Sequence, residues 1–170
     1  KKGTGFCLPQ PRKVYGPMTF RRLERSQSLP MPLLLEADPD EAKVQAYCRT
    51  GQVWVMETDT ICGVAVLQAV EEEPEPTAEL MNIAIKPGLQ GKGMGKQLLN
   101  FLIAEAKRQG FQRLQVATGN SSIGQLAFYQ KAGFELLRLE RHYFTKNYAA
   151  PIIENGIHCR HRLVLELLLP

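Results

Sequence analysis

Apolar and polar positions alternate with strand periodicity in seven runs of the chain from position 18 onward. Each run is rich in β-branched or aromatic residues and is bounded by polar, Gly or Pro positions. The seven predicted strands are MTFRRLE, QVWVMET, ICGVAVLQAV, TAELMNIAIK, RLQVAT, FELLRLERHYF and IHCRHRLVLELLL. The short TDT segment between the second and third runs predicts a hairpin.

Three helices are predicted between these strands. Asp38, which is followed by a proline, gives a start signal for the first helix, and Gly51 ends it. The second helix covers residues 93–109 and stops at Gly110. Its apolar residues share one stripe and are Leu98, Leu99, Leu102, Ile103 and Ala106. The third helix, SSIGQLAFYQKA, is stopped by Gly133.

The resulting order, β-α-β-β-β-α-β-α-β-β, predicts one mixed α/β domain over residues 18–170. A helix connects the fourth and fifth strands, which are therefore expected to be parallel. Between the last two strands, the segment TKNYAAPIIENG is long for a hairpin connection and is predicted as a loop.

The formal charge of +4 is not spread along the chain. Residues 1–17 contain four basic residues and no acidic one, so the formal charges cancel from Met18 onward. We interpret residues 1–17 as a vector-derived leader, because they show no periodicity and lack the apolar core of a signal peptide. The basic balance is thus a weak argument for nucleic-acid binding. Neither a nucleic acid nor a membrane is expected as a partner.

The four cysteines predict neither a disulfide framework nor a zinc site. Cys7 lies in the leader, and the other three are far apart and form no C-x-x-C pair. His158, Cys159 and His161 have the spacing of metal ligands, but on a strand His158 points away from the other two. No metal is therefore expected, and the absence of a targeting signal makes the cytoplasm the expected location.

The segment LQGKGMGKQL, residues 89–98, places three glycines directly before the second helix. A phosphate-binding P-loop would need glycine at position 86 or 90, which hold Lys86 and Gln90. A dinucleotide motif would need glycine at Lys96 or Leu98, and it follows a first strand rather than a fourth. What remains is a Q-x-x-G-x-G loop at a helix N-terminus, where free N–H groups and the helix dipole favour an anion.

Residues 90–95, QGKGMG, match the Q/R-x-x-G-x-G/A loop of the GNAT superfamily of N-acetyltransferases. The strand before this loop and the later LAFYQKAGF, with its tyrosine followed by glycine-phenylalanine, match the same pattern. Over about residues 18–170 the chain therefore resembles this superfamily, and in particular a bacterial type of unassigned substrate. The resemblance implies a mixed, mostly antiparallel sheet of six or seven strands. Strands 4 and 5 would be parallel and splayed around the cofactor, with helices on both faces.

The resemblance also implies acetyl-coenzyme A as the acetyl donor. The loop and the following lysine would hold its pyrophosphate, and the backbone of the fourth strand would pair with its pantetheine arm. The expected cofactor-binding residues are Ile83, Ala84, Ile85, Gln90, Gly91, Lys92, Gly93, Met94, Gly95, Lys96, Asn120 and Tyr129. The family often has asparagine seven residues before the tyrosine; here Ser122 stands there, Asn120 lies two residues earlier, and either one can cap the helix.

Acetyl transfer needs a neutral amine, a stabilised oxyanion and a proton for the departing thiolate. By resemblance, Glu79 would be the general base, directly or through water, and Tyr129 the general acid. A backbone N–H near Ile85 would polarise the thioester carbonyl. Glu79 as an ordinary strand carboxylate and Tyr129 as an amphipathic core tyrosine are the alternatives.

The acceptor is less defined by the sequence than the donor. We expect a primary amine, either a small molecule or a protein N-terminus, and direct transfer in a ternary complex. The loop after the sixth strand would shape specificity through Tyr143, Tyr148 and Glu154, with His142 beside it. The acidic EEEPEP segment is either a solvated loop or a rim that attracts a cationic substrate. A possible homodimer through the last strands, and a non-catalytic acyl-coenzyme A-binding module, remain open.

Overall fold

The computed structural model describes residues 17–170, so the predicted leader lies, except for its last residue, outside the described part of the chain. The elements are β1 (Thr19–Arg22), α1 (Met31–Leu34), α2 (Glu41–Thr50), β2 (Gln52–Glu57), β3 (Ile61–Val70), β4 (Thr77–Ile85), α3 (Met94–Arg108), β5 (Arg113–Gly119), α4 (Ile123–Lys131), β6 (Glu135–Glu140), α5 (Tyr143–Asn147), β7 (Ile152–Glu154), β8 (Ile157–Cys159) and β9 (Arg162–Leu168).

The described residues form one seven-stranded sheet in the order β1-β2-β3-β4-β5-β9-β6. Its β4–β5 pair is parallel and its other neighbouring pairs are antiparallel. The prediction of a mixed, mostly antiparallel sheet with parallel fourth and fifth strands is confirmed. A separate hairpin, β7–β8, lies in the segment that was predicted as a loop.

Helices cover both faces of the sheet, as predicted. The apolar stripe of α3 packs on one face, where Leu98, Leu99 and Leu102 are completely buried. On the other face, α1 and α2 cover the half of the sheet formed by β2, β3 and β4. Asn82 of β4 binds both helices there, because its Nδ2 donates to Leu34 O at 3.0 Å and to the Tyr47 hydroxyl at 2.9 Å.

The parallel pairing of β4 with β5 is short. It runs from Thr77 and Arg113 to Leu80 and Val116, and both strands continue without pairing to each other. At the same point β4 has a bulge, because Leu80 and Asn82 oppose successive residues of β3. On its opposite edge β5 pairs with β9 over its whole length, from Arg113 to Gly119. A gap therefore opens between β4 and β5 at their C-terminal ends.

Of the predicted strands, the sixth ends early and the last is interrupted. The sixth was expected to reach Phe144, but it ends at Glu140, and His142 takes a left-handed conformation before α5. The last was expected to be continuous from Ile157, but residues 160–161 interrupt it. Asn120 Oδ1 accepts the N–H groups of both interrupting residues, at 2.7 and 2.8 Å, and these bonds hold the backbone out of the sheet.

The cap of α2 also differs from the prediction. Asp40, rather than Asp38, is the N-cap, and its side chain accepts the N–H of Lys43 at 3.1 Å. Asp38 instead accepts the N–H of Asp40 in the turn before the helix. Asp38 and Asp40, on either side of Pro39, are both suitable N-cap residues. The hydrogen bond from the Lys43 N–H to the Asp40 side chain makes Asp40 the N-cap.

We predict that Asn120→Ala lowers the free energy of unfolding by about 1–2 kcal/mol, because it leaves two backbone N–H groups without their acceptor. Asn147→Ala is the matched control: its Nδ2 makes a single exposed bond to Tyr143 O at 2.7 Å, so its cost is expected to be below about 0.5 kcal/mol. Urea unfolding of both variants measures the difference. Equal losses would contradict the role given to Asn120.

Candidate active site

Three glycines ahead of α3 take backbone conformations that other residues rarely adopt. Gly88, Gly91 and Gly93 have φ angles of +82°, +72° and +80°, and a Cβ on any of them would meet no atom within 4 Å. The loop therefore needs glycine for its turns. Gly93 is the N-cap of α3, whose first N–H groups have no partner within the helix. Lys92 and Lys96 are exposed beside these donors, which together suit an anion.

The same loop is fastened to the end of β4. Gln90 Nε2 donates to Ile85 O at 3.0 Å. A Cβ on Gly95 would lie 3.7 Å from both Ile85 and Phe128 of α4, so the end of β4, the start of α3 and α4 meet in van der Waals contact. Met94 is buried in the core on the α3 face, which leaves its backbone N–H as the group it can offer to a ligand.

The end of β4 presents unpaired peptide groups to the gap beside β5. Lys86 N–H donates to Cys62 O of β3. Because peptide groups alternate in direction along a strand, those of Ala84 also point toward β3, and those of Ile83 and Ile85 point toward the gap. Ile85 O is taken by the loop. The N–H and C=O of Ile83 and the N–H of Ile85 are therefore placed to bind an extended ligand.

Tyr129 and Glu79 lie on opposite faces of the sheet near this gap. Tyr129 is 5% exposed and packs with Phe128 and Phe134 at ring distances of 5.3 and 5.7 Å. Burial raises the pKa of Tyr129, so its hydroxyl stays protonated at neutral pH. Leu80 belongs to the same α3-side core, and the alternation along β4 therefore directs Glu79 to the other face.

The side chains at the start of α4 bind other parts of the chain. Ser122 is at the N-cap position, but its hydroxyl donates to Glu154 Oε2 at 2.6 Å and does not cap the helix. Asn120 Oδ1 accepts two backbone N–H groups, and its Nδ2 donates to His158 O at 3.1 Å. Both polar atoms of the Asn120 side chain are therefore used to hold the 158–161 segment. The cofactor contact expected of this residue stays a prediction.

A chain of ion pairs, which we call the charged network, surrounds Glu79 on its face of the sheet. Arg162 of β9 bridges two carboxylates: its Nη2 pairs with Glu79 and its Nη1 with Glu140 of β6, the latter at 3.1 Å. Arg138 of β6 continues the network, with its Nε 3.2 Å from Glu140 and its Nη1 4.0 Å from Glu73. Arg138, Glu140 and Arg162 were not predicted from the sequence. Their contacts join strands that are distant in the chain, so no local pattern indicated them.

The charged network shifts the ionisation of its members. Burial raises the pKa of Glu79; Arg162 and Arg138 act against this rise, and Glu140 adds to it. Burial acts to lower the pKa of Arg162, but Glu79 and Glu140 outweigh it and raise the pKa, so the guanidinium keeps its charge. A half-buried carboxylate with a raised pKa beside a gap in the sheet is typical of a catalytic base.

Two tyrosines of the segment after β6 border this face. The guanidinium carbon of Arg162 lies 5.2 Å from the centre of the Tyr143 ring, and Lys43 Nζ of α2 lies 3.7 Å from the centre of the Tyr148 ring. The segment thus connects α2 with β9 across the face that holds Glu79. Glu154 of β7 accepts hydrogen bonds from Ser121 and Ser122 before α4, and the part in specificity expected of it stays a prediction.

The acidic EEEPEP segment folds onto the same face. Glu73 Oε1 accepts from Gln115 Nε2 at 3.3 Å, and Glu75 Oε2 lies 3.4 Å from Arg113 Nε. These contacts show that part of the segment is bound to the sheet and is not a fully solvated loop. Its attraction for a cationic substrate stays a prediction.

His142 and His161 form a pair beyond the charged network. The backbone N–H of His142 donates to His161 Nδ1 at 2.9 Å, and the two rings are 5.1 Å apart. Burial lowers the pKa of His161, and His142 and two nearby arginines act in the same direction. Within residues 17–170, no three His, Cys, Asp or Glu side chains are grouped as metal ligands. In the same range, no helix is long and apolar enough to cross a membrane.

Comparison with known proteins gives the same family for most of the chain. The profile of the Acetyltransferase (GNAT) family matches residues 20–134. The chain is 43% identical over 138 residues to the uncharacterized N-acetyltransferase YvbK of Bacillus subtilis, a match that covers 79% of this chain and 87% of that protein.

Solved structures agree with this assignment. An IAA acetyltransferase from Bacillus cereus superposes with a TM-score of 0.82 and 41% identity, over 90% of this chain and 100% of the other. A GNAT family acetyltransferase from Elizabethkingia anophelis, with acetyl-CoA bound, gives a TM-score of 0.84 and 36% identity, over 89% and 98% of the two chains. The chain therefore belongs to the GNAT family and is an N-acetyltransferase.

Proposed function

We propose that this acetyltransferase transfers the acetyl group of acetyl-coenzyme A directly to a primary amine in a ternary complex. The observation that carries the proposal is the glycine loop at the start of α3, fastened by Gln90 to the unpaired end of β4. One end of this arrangement offers N–H donors to a pyrophosphate, and the other offers strand-like pairing to an extended arm. The relative from Elizabethkingia anophelis, of the same fold, binds acetyl-CoA, which supports this donor.

The two ends of the donor site define where the reaction occurs. With the pyrophosphate at residues 90–96 and the pantetheine arm along residues 83–85, the thioester would lie in the gap near the bulge of β4. There the N–H of Ile85 or Ile83 is available to the carbonyl oxygen as negative charge develops on it. Tyr129 would approach the sulfur from the α3 face, and the acceptor would enter from the face that holds Glu79.

The chemical step forms one bond and breaks one. The neutral amine nitrogen attacks the thioester carbonyl carbon, a C–N bond forms, and the C–S bond breaks with its electron pair going to sulfur. Glu79, directly or through water, takes the proton that the amine loses. Tyr129 gives its proton to the departing thiolate, which suits a hydroxyl that burial keeps protonated.

The acceptor class follows from the charge of the face on which Glu79 lies. The charged network contains three carboxylates and two guanidinium groups, which suits an approaching ammonium group better than an anion. A small-molecule amine and a protein N-terminus both meet this requirement.

The homodimer stays a prediction. β6 is an edge strand of the sheet, and its Leu136 is 61% exposed, so two copies of the chain could pair there. A monomer mass by sedimentation at micromolar concentration would argue against this pairing.

We predict that Gly93→Val weakens acetyl-coenzyme A binding at least tenfold while the protein remains folded. The φ of +80° and the open space around Gly93 imply strain of about 1–2 kcal/mol without a clash, and the added side chain would stand where the N–H donors face the anion. Isothermal titration calorimetry measures the affinity.

Gly110→Val is the matched control for this substitution. Gly110 lies at the other end of α3, with a φ of +85° and no atom within 4 Å of the position that a Cβ would take, so its backbone strain is similar. It should lose similar stability and keep wild-type affinity. If both variants bind acetyl-coenzyme A equally well, the placement of the pyrophosphate is wrong.

We predict that Tyr129→Phe and Glu79→Gln each lower kcat by about 10²-fold or more with little change in acetyl-coenzyme A affinity. A thiol-release assay with spermidine, tyramine, lysine and a peptide amide with an N-terminal alanine measures turnover. Because burial raises the pKa of Tyr129, its proton should remain in place through alkaline pH, and the activity lost by Tyr129→Phe should be lost at every pH.

Tyr47→Phe serves as the control for the tyrosine variant. It removes another buried hydroxyl, the one that accepts from Asn82, so stability should fall without a loss of turnover per folded molecule. Tight binding of acetyl-coenzyme A with no turnover of any of these amines would instead favour a non-catalytic acyl-coenzyme A-binding module.

A further inference from the structure

The position of Arg162 is not explained by the chemistry of transfer alone. A cation against a general base would ordinarily weaken its basicity, yet the guanidinium pairs with Glu79, the carboxylate proposed as the base. The side chains of Glu79 and Arg162 are only 19% and 20% exposed, so solvent screens their interaction incompletely.

Arg162 is held in place from three sides. Glu140 binds its Nη1, Glu79 binds its Nη2, and the Tyr143 ring of α5 lies against it. A guanidinium whose fork is filled by two carboxylates has little freedom to swing away when Glu79 changes its protonation state. The positive charge therefore stays next to Glu79 throughout a catalytic cycle.

We infer that Arg162 is a positioning residue, which fixes the carboxylate of Glu79 beside the gap and sets the pH at which that carboxylate takes up a proton. The catalytic part of this inference rests on the proposed function. The control of Arg162 over the ionisation of Glu79 can be measured without turnover.

The groups that face Glu79 act on it with opposite signs. Arg162 of β9 and Arg138 of β6 favour the ionised carboxylate, whereas Glu140 of β6 and burial favour the protonated acid. Glu73 acts through Arg138, and Tyr143 is in contact with Arg162. A base must be ionised to accept a proton, so activity falls as the pH drops through the pKa of Glu79. Removing Arg162 should raise this pKa, and removing Glu140 should lower it.

The ion pair between Arg162 and Glu79 is not needed to hold the sheet together. β9 pairs through its backbone with β5 from Arg162 to Leu168 and with β6 from Arg162 to Glu166, and such ladders do not depend on one side chain. Partly buried ion pairs are also a weak source of stability, because desolvation offsets their attraction. A purely structural role would lower activity equally at all pH values.

The test measures the ionisation of Glu79 directly. Proteins labelled with ¹³C at the glutamate carboxyl carbon are titrated by NMR, and the signal absent from Glu79→Gln identifies Glu79. In Arg162→Gln, we expect its midpoint to rise by about one pH unit, the lower end of the effect of a neighbouring opposite charge. Arg162→Lys keeps the charge and should restore most of the shift. Glu140→Gln should move the midpoint the other way, and by less.

Arg113→Gln is the matched control. Arg113 belongs to the neighbouring strand β5, is 29% exposed, and pairs with Glu75 and Glu166 rather than with Glu79. Its removal should leave the Glu79 midpoint unchanged. An unchanged midpoint in Arg162→Gln, no restoration by lysine, or an equal shift in Arg113→Gln would each overturn the inference. If Arg162→Gln does not fold, Arg162→Met, which also removes the positive charge, is titrated in its place and should show the same rise.

The pH profile of kcat, with the fastest of the four amines, separates this inference from the proposed function. The acidic limb should follow the NMR midpoint, moving to higher pH in Arg162→Gln and to lower pH in Glu140→Gln. A limb that stays fixed while the NMR midpoint moves would show that Glu79 is not the base, which refutes that part of the proposed function and leaves the control by Arg162 standing. A wild type that acetylates none of the amines refutes the proposed function alone.

Discussion

The loss of pairing between β4 and β5 after Leu80 and Val116 is the constraint around which the rest of the site is arranged. A buried peptide group without a partner costs about 1–3 kcal/mol, and a sheet ordinarily avoids this by continuing its ladder. Here the edge of β5 toward β4 stays open beyond Val116, while its opposite edge is paired with β9 from Arg113 to Gly119. A Cβ on Gly119 would lie 2.5 Å from Cys159 Sγ, so the end of β5 is packed tightly against β8.

The two faces of the sheet at this gap carry different chemistry. On the α3 face, the leucines of β4, β5 and β9 join the buried stripe of the helix in one apolar core. On the opposite face, beyond the cover of α1 and α2, the same three strands carry Glu79, Gln115 and Arg162. Charges in such a position are costly unless each has a partner, and the charged network supplies partners for all of them. A set of paired charges that contributes little to stability is more readily explained by what it does to a reacting group.

Local signals were sufficient to predict the elements around the glycine loop. The α3 stripe, the glycine loop before this helix and the parallel connection are all encoded within short windows, and the structure contains each of them. The errors lie where a distant side chain decides the backbone. Asn120 interrupts the last strand forty residues or more away, at Arg160 and His161, and Glu154 of the β7–β8 hairpin is bound by Ser122. Arg162 was missed for the same reason, since it lies 83 residues from Glu79 in the chain.

The proposed donor and acceptor sides depend on contacts of different range along the chain. The donor side is built from a loop, a helix start and a strand end that adjoin in sequence, so it is defined by a few residues. The proposed acceptor side is bordered by α5 and its neighbours, whose positions depend on long-range contacts such as that of Lys43 with Tyr148. Substitutions in α5 can therefore reshape the acceptor side without altering the glycine loop or the gap. Arg162 lies against the Tyr143 ring and pairs with Glu79, so it connects the proposed acceptor side with the carboxylate proposed as the base.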